Sequence, residues 1–268
     1  MNNKLILDLT DGKKAIQTVE KELLSDYGEI LTQMLGDYGY DLKRFVITIV
    51  NAVKKNPRLM QCTKESLLSS VLASAQLGLE IDSPMGYCYM IPYTNSRNGC
   101  IEAKFIVGYK GIVELLYRSN HVLKVNSKMV YEKDEFEYKE GIETVLNHTP
   151  YIKGDAGERL GTYTVVKLKN GENIVIWVSA KEINALKLKS NTPESYLPKN
   201  DPTGNMWKKS AIRQIIKYIP KNDVPDLAKV ESFDNKILHI ENNEIVSDDV
   251  QQDYKSETNE TSMLKEFI

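Results

Sequence analysis

The chain has 268 residues, 41% of them hydrophobic and 27% charged, with a formal net charge of −2. That is core material for one large domain or two modest ones. Its longest unbroken apolar runs, such as Phe45-Val46-Ile47, fall far short of a membrane span, and Met1-Asn2-Asn3-Lys4-Leu5 does not open a secretory signal, so no membrane contact and a cytoplasmic location are expected. Cys62, Cys88 and Cys100 are odd in number and widely spaced, and His121, His148 and His239 are scattered, which leaves no disulfide framework, zinc site or nucleophile–base pair to expect, and no cofactor.

Residues 13–60 predict helices. Leu23, Leu24, Ile30, Leu31, Met34 and Leu35 recur at mixed three and four spacing, Phe45, Ile49, Ala52 and Val53 repeat the pattern, and Gly36, Gly39 and Pro57 punctuate it. Thr63 and Ser66 precede a further helix with Leu67, Leu68, Val71, Leu72, Ala75 and Leu79 on one face and Gly78 near its end. Strands follow at 87–93 and 101–107, joined through Asn98-Gly99 as a hairpin with Arg97 at its tip. A short helix at 109–119 leads to an alternating strand at 122–131, and Phe136 and Tyr138 mark another. Residues 162–168 and 173–178 pair across Lys169-Asn170-Gly171-Glu172, Ser179 with Glu182 forms a capping box for the next helix, and 190–204 is a polar loop. A strong helix spans about 205–219 and stops at Pro220.

Beyond Pro220 the charge changes sign. Residues 221–268 carry five lysines against twelve acidic residues, a net of −7, which leaves +5 for residues 1–220. The expected class is α+β: a mainly antiparallel sheet with hairpins, flanked by N-terminal helices and a basic C-terminal helix, then a flexible acidic tail. The expected division is a core at 1–220, with 13–60 for oligomerisation and 61–220 for binding, and a largely disordered tail at 221–268.

Three groups carry candidate chemistry. At Phe105-Ile106-Val107-Gly108-Tyr109-Lys110-Gly111 a strand runs into a glycine-flanked turn that opens a helix, setting backbone N–H groups, the Lys110 and Arg118 charges and the Tyr109 ring in a small volume. An anionic polymer with stackable bases needs those components. Glu114 lies four residues from both Lys110 and Arg118, so pairing along the helix accounts for those two equally well. Lys104, Lys124 and Lys128 extend the basic group, and Lys124, Asn126 and Lys128 share one strand face. Third, Ile212, Ile215, Ile216 and Ile219 form the buried stripe of the last helix, while Lys209, Arg213 and Lys217 stand at i, i+4, i+8 beside Trp207 and Lys208. No acid occurs from Asn205 to Pro220, and like charges at this spacing destabilise an isolated helix unless phosphates offset them.

Four blocks in order, Ala75-Gln76-Leu77-Gly78-Leu79, Phe105 to Arg118, Val130 to Tyr138 and Trp207 to Pro220, resemble the RecT family of phage single-strand DNA annealing recombinases. The resemblance implies ATP-independent annealing of complementary strands and assembly of copies into rings or helical filaments on DNA. It also implies work beside a phage exonuclease and the host single-strand-binding protein, and no catalytic residue. An alternative remains from the residues themselves: Glu102-Ala103-Lys104 on a strand, with Asp82 upstream, fits a Mg-dependent nuclease.

Overall fold

The computed structural model describes residues 12–95, 99–190, 192–222, 224–233, 236–241 and 244–249. The chain is α+β with antiparallel sheets and hairpins behind N-terminal helices, and it divides into two compact units. One runs to Leu115 and takes up the chain again from Pro225; the other is Leu116–Val224.

In the first unit the helical stretch resolves into α1 (Gly12–Ser25), α2 (Gly28–Gly36) and α3 (Leu42–Lys55). Asp41 starts α3 by accepting the Arg44 N–H. Phe45, Ile49 and Val53 of α3 are buried, as are Leu31 and Leu35 of α2. Helix α4 (Lys64–Leu77) begins on Thr63, whose hydroxyl accepts the Ser66 N–H, and is buried nearly all round. Its serines make that possible. Ser66 Oγ accepts the Ala103 N–H at 2.8 Å and Ser70 Oγ donates to the Ala103 carbonyl at 3.3 Å, so polar side chains inside the core satisfy strand backbone. Gly78 ends the helix at φ +55, where an added Cβ would lie 2.3 Å from the Tyr38 ring.

Strands β1 (Cys88–Asn95) and β2 (Cys100–Val107) form the expected hairpin and lead into α5 (Tyr109–Arg118). The chain returns to this unit as α8 (Pro225–Phe233), followed by β8 (Lys236–Glu241) and β9 (Glu244–Asp249). Leu227, Val230 and Phe233 are buried at three-residue spacing, Phe233 meets Phe105 edge-on at 6.0 Å, and the Lys229 ammonium reaches the Gln76 carbonyl at 3.3 Å.

The second unit is built on an antiparallel sheet ordered β3-β6-β7, from β3 (Val122–Tyr131), β6 (Arg159–Leu168) and β7 (Asn173–Ser179). Pairing places Met129, Thr162 and Val178 on one face and Lys128, Tyr163 and Trp177 on the other. On the first face, α6 (Ala180–Leu188) and α7 (Asn205–Ile215) close a core of Met129, Val178, Ile183, Trp207 and Ala211. The Ser179–Glu182 capping box starts α6 as expected.

On the second face rests a hairpin of β4 (Glu135–Lys139) and β5 (Val145–Thr149), the latter not foreseen from the sequence. Phe136 packs on Trp177 at 4.6 Å and on Tyr163 at 6.1 Å. A buried chain of polar groups pins the hairpin base. His148 Nε2 lies 3.0 Å from Asp134, its Nδ1 lies 3.2 Å from the Tyr163 hydroxyl, and Asp134 accepts the Tyr131 and Tyr151 N–H groups. Burial alone would raise the Asp134 pKa, but those N–H bonds and His148 outweigh it and hold the carboxyl below its ordinary value.

Candidate nucleic-acid interface

In the first unit, Lys104 stands on β2 opposite Ile91, and Tyr109 and Lys110 occupy the first turn of α5. The turn between them works by close approach. The Gly108 N–H donates to the Tyr87 carbonyl at 2.8 Å, and a Cβ on Gly111 would lie 2.2 Å from the same oxygen. That seats the start of α5 on the Gly86-Tyr87 turn. Lys110 is exposed, and burial followed by the charge of Asp82, then Cys88 and Tyr109, raises the Tyr89 pKa. The Tyr87 hydroxyl donates to Glu114 at 3.3 Å, a partner that helical spacing did not indicate.

Residues of the nuclease alternative have other partners. Glu102 accepts from Asn95 Nδ2 at 2.9 Å, and Asp82 sits at φ 50 with its carbonyl 3.5 Å from Lys55 Nζ. Burial raises the Asp82 pKa, with Lys55 pulling the other way. Among the described residues no group of three or more His, Cys, Asp or Glu side chains is placed to hold a metal. Arg97 lies outside the described residues.

The second unit gathers most of the cations. Helix α7 continues as a tighter turn at Ile216–Tyr218, and Ile212, Ile215, Ile216 and Ile219 are buried, so the isoleucine stripe faces the core. Lys208, Lys209 and Arg213 are half-buried and Lys217 is exposed. Burial lowers the Lys208 pKa; Asp201 opposes the shift, while the Lys128 and Arg159 charges add to it, which brings β3 and α7 cations into one field. Lys124 and Lys128 are exposed on β3, and Lys124 pairs across the ladder with Lys167, a further exposed cation that the sequence reading left out. Arg118 ends α5, and the preceding Tyr117 hydroxyl accepts the Val125 N–H at 3.0 Å.

Trp207, one of the DNA-binding candidates, is 7% exposed, packs with Met129 and Val178, and donates its N–H to the Tyr196 carbonyl at 3.1 Å. A ring enclosed on this scale has no face left for a base. Above it lies the Arg159 guanidinium at 5.6 Å, held by Asp201, which also accepts the Asn205 and Met206 N–H groups at the start of α7. Arg159 and Asp201 therefore position the basic helix. The Asp201-to-Asn205 spacing was the available signal for this, since an acid next to a helix start caps its free N–H groups.

The Lys209 pKa is pushed down to about 8 from the ordinary 10.5, by burial first and Arg213 second. Between those values the unfolded chain binds a proton that the folded chain does not, so this group makes folding more favourable as pH rises from 8 to 10.5. A phosphate beside the ammonium acts oppositely and restores the proton. Affinity for single-stranded DNA should fall as pH rises through about 8, and Lys209→Arg should flatten that fall. Binding isotherms across the range check this, and a profile identical in the two proteins contradicts it.

The chain matches the RecT family over residues 43–253. It is similar to Protein RecT of Escherichia coli (strain K12), with 29% identity over 200 residues, covering 72% of this chain and 71% of that protein. It is also similar to Uncharacterized protein YqaK of Bacillus subtilis (strain 168), with 24% identity over 177 residues, 66% of this chain and 57% of that one. A match across most of the chain, on an α+β fold with its basic helix in place, shows that the chain belongs to the RecT family, whose general work is single-strand annealing in DNA recombination.

Proposed function

We propose that the chain binds single-stranded DNA and anneals complementary strands without consuming nucleotide, holding phosphates along a basic groove of a homo-oligomer. The observation that carries this reading is the acid-free face of α7, where Lys208 and Lys209 are both held below the ordinary lysine pKa. A fold that keeps cations partly desolvated and mutually repelling has a stability cost, which anionic contacts offset. Phosphates from a DNA backbone supply them without regard to sequence.

Lys208, Lys209, Arg213, Lys217, Lys124, Lys128 and Arg118 are the proposed contacts on the second unit, and Lys104, Tyr109 and Lys110 on the first. Annealing requires that backbone contacts fix the strand while base edges stay open to a complement. Phosphate binding from side chains on helix and strand faces has that character. No covalent step is needed, so no catalytic residue or cofactor is assigned. Neighbouring copies in a ring or helical filament lengthen the groove and add avidity along the strand. A phage exonuclease is the proposed source of single strands and a host single-strand-binding protein the competitor. The acidic residues toward the C-terminus, which phosphate repels, are assigned to protein partners.

Gel-shift titrations with one strand, preformed duplex, and two complementary strands added in succession test the reading. Binding is expected for the single strand and tightest for strands added in succession. No binding at low salt, or shortening of labelled strands with Mg²⁺, would overturn it.

A further inference from the structure

The β4–β5 hairpin ends in Glu140-Gly141-Ile142-Glu143, and Ile142 is fully solvent-exposed at 108% of its reference area. Its base is fixed by Phe136, Trp177 and the buried His148–Asp134 contact, so the tip projects from an anchored arm. Charge rules out DNA as the tip's partner: Glu135, Glu140 and Glu143 are exposed, while Lys139 is paired with Glu137 at 2.6 Å. An exposed isoleucine among glutamates is complementary to a protein surface that is apolar at one point and basic around it.

This chain carries such a surface. Helix α3 has four cations and no acid, and Lys43, Ile47, Asn51 and Lys54 make one exposed stripe with Ile47 52% exposed at its middle. Arg44 pairs with Glu80 at 3.4 Å and Lys55 lies on the Asp82 carbonyl, which leaves Lys43 and Lys54 directed outward. Beside the helix, Thr48, Lys54, Ile81 and Pro84 line an open depression together with Glu80, which Arg44 pairs, and Asp82, which lies in the field of Lys55.

We infer that the Glu140–Glu143 hairpin tip of one copy docks on the α3 face of the next, with Ile142 against Ile47 and its glutamates among Lys43 and Lys54. Two different surfaces meet, so the contact is head-to-tail, and repetition of it yields a ring or an open helix. The inference rests on the homo-oligomeric reading above and names the surface that reading lacks.

The test uses the full chain with complementary single strands, followed by sedimentation. Ile142→Asp and Ile47→Asp alter exposed side chains, so each should keep the wild-type melting temperature. Each should also raise the concentration needed for half-assembly by about tenfold or more. In a Cys100→Ser background, an Ile142→Cys protein mixed with an Ile47→Cys protein should give dimers with a short thiol cross-linker, and neither should do so alone. Wild-type assembly with no cross-link in the mixture overturns the docking while sparing the oligomer. Undiminished assembly by Ile142→Asp, with DNA affinity weakened by Ile47→Asp, overturns it in favour of α3 as a phosphate surface. A wild-type protein that stays monomeric on DNA overturns both readings.

Discussion

Replacing Lys209 and Arg213 together with alanine is expected to weaken single-strand binding by about a hundredfold at moderate salt. Each lost charge-assisted phosphate contact is taken as ~1.4 kcal/mol, or tenfold. The slope of log affinity against log salt should flatten by about two, and the loss should be the same for every DNA sequence. The fold should survive, because the buried Ile212, Ile215, Ile216 and Ile219 are untouched. Removing a partly desolvated ammonium should leave the melting temperature unchanged or slightly raised. Lys181→Ala, an exposed cation on α6, is the control and should change little. Salt-dependent fluorescence anisotropy reads both quantities. An unaltered slope would remove α7 from the binding surface.

The largest stability effect is expected from Asp201→Ala. That carboxylate accepts two N–H groups at the start of α7 and faces the Arg159 guanidinium, both side chains being about 6–7% exposed. Taking it away uncaps the helix and leaves a buried cation without its counter-charge, which together cost about 3–5 kcal/mol. Asp201→Asn keeps an acceptor for the cap and should recover part of the loss. Arg159→Leu combined with Asp201→Ala should cost less than the two single changes added, since the orphaned charge is gone. Urea unfolding of the four proteins gives the cycle. A wild-type midpoint for Asp201→Ala would mean that this pair does not hold the basic helix in place.

These two cases show where the sequence was readable. Periodicity located α3, α4 and α7 and the β1–β2 and β6–β7 hairpins, because a buried stripe or a turn dipeptide is a local signal. The basic face of α7 was visible for the same reason: three cations at four-residue spacing with no acid nearby. The burial of Trp207 was not legible, because an aromatic among lysines has the same local pattern whether it faces solvent or the sheet, and Met129 and Val178, distant in sequence, enclose it. The Arg159–Asp201 pair spans forty-two positions and leaves no local trace. Strand β5, with Val145 and Leu146 among polar residues, has too few apolar positions to stand out before Phe136 and His148 are seen to pack together. Helix α8 was hidden in a different way. Its acidic surroundings argued for an unstructured tail, yet Leu227, Val230 and Phe233 are buried on it.

The most direct test of annealing on a basic protein surface is the rate at which two fluorescently labelled complementary strands pair, followed by energy transfer without nucleotide. The wild-type chain should speed pairing well above the protein-free rate, lose that effect as salt rises, and leave both strands at full length. The Lys209→Ala/Arg213→Ala protein should pair them at close to the protein-free rate. Equal acceleration by the two proteins would contradict the account, as would acceleration that appears only with ATP.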